Sequence, residues 1–112
     1  MNNNKTVFVA DSVPYIAQQT EIDTQDATRF LKALANEARL SIVCLLRNQE
    51  MSVSTLNHQL PLSQSALSQH LAILRRDGVV KTRRESQTIF YSLDSHCAGD
   101  LLELLGRYHP VV

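Results

Sequence analysis

Leu62 to Leu93, LSQSALSQHLAILRRDGVVKTRRESQTIFYSL, is the stretch that decides the fold. Wound at about 100° per residue, its first half separates into two arcs. Gln64, Ser65, Ser68, Gln69, Ala72, Arg75 and Arg76 share one arc, while Leu67, His70, Leu71, Ile73 and Leu74, with Ala66, fill the rest. The apolar arc is what any helix needs to dock on a core. The other arc, short hydrogen-bonding side chains ending in paired arginines, answers no packing requirement. It suits a DNA groove, where Gln and Ser reach base edges and Arg reaches phosphate or guanine. Asp77-Gly78 closes the helix, and two β-rich runs then flank a polar tip, Arg83 to Gln87.

Working outward, 112 residues make one domain with one modest core. No run approaches the roughly 18 apolar residues of a membrane helix, so no membrane partner is expected. The N-terminus MNNNKTVFVADSVPYIAQQ lacks the basic start, apolar block and cleavage site of a secretory signal, and a cytoplasmic location is the expectation. Net charge is zero, but between Ser63 and Thr88 five bases (Arg75, Arg76, Lys81, Arg83, Arg84) face two acids (Asp77, Glu85), a local balance of +3. Charge concentrated in one segment of a neutral protein is compatible with sequence-selective DNA binding, because only the contacting face has to attract phosphate. An isolated charged hairpin would be an ordinary solvated surface; this one adjoins the polar helix face.

The flanking segments complete a pattern. Residues 1–22 read as a flexible N-terminal arm, with room for a short helix between Val13 and Gln19. Thr24 or Asp23 can cap a helix running to about Ala35, with Ala27, Phe30, Leu31 and Leu34 along one stripe. Asn36 starts a second helix, Glu37 to Arg47, apolar almost all round and expected at the buried centre. Ser52 caps a short third helix carrying Val53, Leu56 and Leu60, Pro61 ends it, and Ser63 caps the fourth, polar-faced helix. Short helix, tight turn, second helix is a helix-turn-helix. Val79–Arg84 and Thr88–Leu93 make a hairpin, the wing, and Ser95 or Asp94 opens a last helix to about Tyr108 bearing Leu101, Leu102, Leu104 and Leu105. The domain is therefore expected over residues 23–109, followed by a tail, 110–112. The fold class is mainly α with a small β-hairpin, a winged helix-turn-helix of order α-α-α-α-β-β-α. Its first and last helices carry more leucine-type surface than so few elements can cover, so a homodimer through those helices is expected.

LKALANEARLSIVCLL, MSVSTLNHQLPLSQSALSQHLAILRRDGVVKTRRESQTIFYSL and the closing helix resemble the ArsR/SmtB family of bacterial winged-helix transcriptional regulators, over about residues 25–108. The resemblance implies a homodimer that represses an operator and releases it when an inducer binds or reacts. SQSALSQHLA, LRRDG, TRRE and YSL look most like the HlyU/BigR-like branch. That branch includes thiol sensors of reactive sulfur or oxidants, and members that activate transcription by displacing a silencer.

The expected DNA contacts are Ser63, Gln64, Ser65, Ser68 and Gln69 with Arg75 and Arg76 on the helix, and Arg83, Arg84 and Gln87 in the wing. His70 falls at the boundary of the docking face and reads as a packed residue. The family's metal sites supply a third alternative, a metal-responsive repressor. Its third-helix site would fall on SVSTLNHQL, which offers His58 and no Cys. Asp94, His96 and His109 look like parts of its last-helix site. Aligned on the YSL of the second strand, however, the four positions of that site fall on Ser95, Cys97, Tyr108 and Val111, three of them poor ligands. No metal and no cofactor is expected. Cys44 stands where the thiol-sensing branch keeps its first reactive cysteine, whereas a free cysteine on a buried helix is usually an inert small hydrophobe. The branch's second cysteine would fall near Pro110, and Cys97 is the other thiol of this chain. Cys44 and Cys97 are the redox-switch candidates. An enzyme is not expected: there is no Gly-rich phosphate loop, nucleophile elbow or HExxH.

Overall fold

The structure, a computed structural model, describes residues 5–7 and 21–111. The elements are β1 (Lys5–Val7), β2 (Glu21–Asp23), α1 (Thr24–Leu34), α2 (Glu37–Leu45), β3 (Met51–Ser52), α3 (Val53–Gln59), α4 (Gln64–Arg76), β4 (Val80–Glu85), β5 (Thr88–Leu93) and α5 (His96–Tyr108). Local chemistry explains where the helices begin. Asp23, Asn36, Ser52 and Ser63 each lie in extended backbone and accept the N–H three residues on, at 3.0 to 3.1 Å. Each satisfies one of the donors that a first helical turn leaves unpaired. Ser95 precedes α5 without such a side-chain bond.

The end of α4 is equally specified. Gly78 takes a φ of +74°, open to it because it has no Cβ. Its N–H bonds Arg75 O at 3.2 Å while the Val79 N–H bonds Leu74 O at 2.9 Å, the paired closure of a Schellman motif. Val79 is thereby delivered into the core, and its carbonyl accepts the Asp94 N–H at 3.0 Å, where the wing ends.

The core gathers Leu67, Leu71 and Leu74 of α4, Ile42, Val43 and Leu46 from α2 and its C-cap, Leu56 of α3, Val79 and Val80 at the wing's base, and Ala98 and Leu102 of α5. Against it packs a three-stranded antiparallel sheet of order β3-β5-β4. β4 and β5 pair from Val80↔Leu93 to Glu85↔Thr88, leaving Ser86 and Gln87 as the turn. β3 adds Met51↔Tyr91 and Ser52↔Phe90 on the other edge of β5.

Three features depart from expectation. β3 is two residues long, too short to leave any periodicity in the sequence. The stretch read as an arm contributes β1 and β2, which pair antiparallel from Lys5↔Asp23 to Val7↔Glu21; the helix expected between Val13 and Gln19 lies outside the described residues. Finally, α2 is not buried all round. Ile42 and Val43 are buried, but Leu40 and Leu45 are only half-buried and Cys44 is exposed. α2 packs on its neighbours with one face, and the side carrying Leu40 and Cys44 lines an open cleft, so apolar composition overstated its burial.

Candidate nucleic-acid interface

α4 divides as its periodicity demands. Leu67, Leu71 and Leu74 are buried, while Gln64, Ser65, Ser68, Gln69, Ala72, Arg75 and Arg76, with the cap Ser63, are exposed along one side. A helix held by one row of leucines presents the opposite row outward at a fixed angle. α3 sets that angle. Asn57 Nδ2 donates to Leu62 O at 2.8 Å, and the Leu62 N–H bonds Leu60 O at 2.9 Å, so the turn around Pro61 is tied on both sides. A notch of about 390 Å3 opens beside it, lined by Val53, Ser54, Asn57, His58 and Gln64.

The eight helix-side residues are not equivalent in chemistry. The Ser63 hydroxyl oxygen already accepts the Ala66 N–H, which leaves its proton to donate outward. Arg76 turns back on Asp77, Nη2 to Oδ2 at 2.9 Å and Nε to Oδ1 at 3.2 Å. The Asp77 side chain is only 4% exposed. The hydrogen bonds from Arg76 hold its carboxyl below the usual carboxylate range, against the opposing effect of burial, and the charges of Arg76, Arg29 and Arg39 add to the shift. Among the described residues no carboxylate lies within ion-pair distance of Arg75 or Arg84.

Arg83 differs from its neighbour. Its Nε donates to Glu50 at 3.1 Å, its Nη2 bonds the second Glu50 oxygen, and its Nη1 donates to Glu85 at 2.7 Å. The guanidinium carbon stands 4.8 Å from the centre of the Phe90 ring. These bonds hold the Glu50 carboxyl below its ordinary range and push the Arg83 guanidinium further up, Glu50 being the larger cause. Gln87 is exposed in the turn.

Sequence reasoning missed Glu50, Asn57 and Arg39. Arg39 Nε donates to Ala33 O at 2.6 Å and Nη2 to Lys32 O at 3.3 Å, satisfying carbonyls at the end of α1. Its Nη1 lies 3.4 Å from His70 Nδ1, so the half-buried His70 is locked between α2 and α4 with Nδ1 as acceptor. The signal was present only as an arginine on a largely apolar helix, a position that asks for a partner.

The candidate thiols are both free and exposed. Cys44 borders a cleft of about 360 Å3 with Leu40, Leu45 and Leu60. Cys97 borders an apolar cleft of about 510 Å3 between α1 and α5, with Ala27, Phe30, Leu31 and Leu101. The two clefts share no lining residue. The exposure of Cys44 overturns its reading as a buried hydrophobe. Among the described residues no three of His, Cys, Asp and Glu gather around a common point, and no helix is long and apolar enough to cross a membrane. His58 on α3, His96 at the first position of α5 and His109 at its C-cap are each exposed.

A short helix, a tied turn, an outward polar helix and a paired strand wing together define a winged helix-turn-helix transcriptional regulator. Comparison with known proteins agrees. Residues 36–82 match the bacterial regulatory protein arsR family. The transcriptional activator HlyU of Vibrio cholerae is 52% identical over 96 residues, spanning 86% of this chain and 89% of that protein. The structure of the reduced form of that HlyU superposes with a TM-score of 0.74 at 53% identity, covering 80% of this chain and 94% of the other. The transcriptional repressor BigR from Xylella fastidiosa gives 0.74 at 36% identity, covering 79% and 90%. The homodimeric winged helix-turn-helix DNA-binding domain Mb0332 from Mycobacterium bovis gives 0.70 at 28% identity, covering 75% and 78%. The chain belongs to the ArsR family.

Proposed function

We propose that this regulator binds double-stranded operator DNA as a homodimer in the cytoplasm, with α4 in the major groove and the wing on the adjacent backbone. The observation that carries the reading is the exposed row Gln64, Ser65, Ser68, Gln69 and Arg75, held outward by a fully buried row of leucines. Gln64 and Gln69 have the amide geometry that pairs with adenine, and Ser63, Ser65 and Ser68 suit phosphates or base edges. Arg84 and Gln87 of the wing extend that surface, beside Arg76 and Arg83, whose guanidinium groups are held by carboxylates.

The dimer is supported by apolar surface that one chain leaves open. Leu31 of α1 is 54% exposed and Leu104 of α5 is 42% exposed, on the two helices that frame the apolar cleft around Phe30 and Leu101. A two-fold pairing through α1 and α5 sets two recognition helices about one DNA turn apart, roughly 34 Å, and a palindromic operator follows. The repressor assignment is the family's usual mode; the 52% identity to an activator favours activation as the second reading. A reactive-sulfur or oxidant signal read through Cys44 and Cys97 is supported by the exposure of both thiols.

The test is enrichment of a duplex from a random-sequence pool, followed by sedimentation with and without it. The expected result is a palindromic consensus bound by a dimer. No enrichment above bulk DNA, or a monomer at micromolar concentration, overturns the reading. A promoter reporter with and without the gene separates repression from activation. Persulfide or peroxide treatment that leaves both thiols and the DNA affinity unchanged removes the thiol switch.

A further inference from the structure

Of the wing's two adjacent arginines, only Arg84 is electrostatically available. Arg83 has both Glu50 oxygens on Nε and Nη2, and Glu85 on Nη1, so every guanidinium nitrogen already serves a carboxylate. One positive charge set between two negative ones makes a local balance of −1, which repels phosphate. Its flat side rests on Phe90. The register explains what this arrangement spans. Ser52 pairs with Phe90 and Phe90 pairs with Arg83, so Glu50, two residues ahead of Ser52, meets Arg83 across all three strands. Strand alternation sends Arg84 to the opposite face of β4.

We propose that Arg83 is a positioning residue and not a DNA ligand: the Glu50–Arg83 pair, laid over Phe90, braces the wing against the segment leading into β3, so that Arg84 and Gln87 make the wing's DNA contacts. The inference rests on the DNA-binding reading above and assigns Glu50, an acidic residue beside the interface, a part in it. Glu50 sets the wing's angle without touching DNA, and Arg83 transmits that constraint to the strand next to the turn.

The experiment measures affinity for the duplex enriched by the wild type, over a salt series, for Glu50→Gln, Arg83→Ala, the double variant and Arg84→Ala. Hydrogen exchange of the β4 and β5 amides follows the wing without DNA. Glu50→Gln and Arg83→Ala should each weaken operator binding by roughly threefold to tenfold, and the double variant should be no weaker than the worse single one. Both should speed exchange in the wing and leave the salt slope unchanged, whereas Arg84→Ala should lower that slope by about 0.9. Tighter binding by Glu50→Gln with a steeper slope makes Glu50 a brake on a DNA-contacting arginine and overturns the proposal. A slope lowered by Arg83→Ala, with Glu50→Gln silent, overturns it as well. A wild type that enriches no duplex fails the DNA-binding reading itself. Unchanged wing exchange in Glu50→Gln removes the brace independently of any DNA.

Discussion

The side-chain amide of Asn57 donates to the carbonyl of Leu62 at 2.8 Å, joining the last turn of α3 to the residue that leads into α4. The bond is partly buried and crosses a turn in which Pro61 has no N–H to offer. It fixes the helix-turn-helix angle from inside. Asn57→Ala should therefore cost about 1 kcal/mol of stability in urea unfolding and weaken DNA binding at constant salt slope. If stability and affinity are both unchanged, the turn is held by packing alone.

The two arcs of α4 should separate stability from recognition. Leu71 is 1% exposed at the centre of the core, and Leu71→Ala should cost about 2–5 kcal/mol. Gln69 lies two residues away, about 200° round the helix and so on the outer face. Gln69→Ala should leave the unfolding midpoint within about 0.5 kcal/mol of the wild type while flattening the base preference of the enriched duplexes. Equal effects of both substitutions on unfolding would mean that the outer face is not free.

Ser86 turns the wing at a φ of +58°, a left-handed conformation that a glycine adopts without a Cβ penalty. Positive φ at the first of two turn residues alone is the pattern of a type II′ hairpin turn, whose preferred occupant there is Gly. Ser86→Gly should stabilise the domain by roughly 0.5–1 kcal/mol, read as a raised melting temperature with the same DNA consensus. A lowered melting temperature would show that the serine side chain contributes something the strain conceals.

Asp77 gives the acid limb of stability a defined sign. Arg76 holds its carboxyl below the ordinary range in the folded chain. The stabilisation is complete above the ordinary carboxylate value, about 3.9, and is lost as pH falls through the lower folded value. Urea midpoints measured downward from pH 6 should therefore fall below about pH 4, and Asp77→Asn should flatten that part of the curve. An unchanged acid limb in the variant would assign the loss to other carboxylates.

What could be read from the sequence follows the range of the interactions involved. Caps act over three residues, so Asn36, Ser52 and Ser63 announced their helices, and of the two candidates for the first helix Asp23 proved to be the cap. The division of α4 is periodic and needed no partner. The Glu50–Arg83 pair joins residues 33 apart, and Arg39–His70 joins residues 31 apart. Nothing local distinguishes such charges from solvated ones. The exposure of Cys44 was hidden for the same reason: composition reports how apolar a helix is, but only packing decides which side is covered.

Val79 is held by its N–H at the end of α4 and by its carbonyl where the wing gives way to α5, and its side chain has no exposed surface. A single residue thus ties together the reading helix, the wing and the start of the last helix. The angle between the reading helix and the wing is therefore set inside the domain, at a residue that leaves no surface for DNA or another chain to touch.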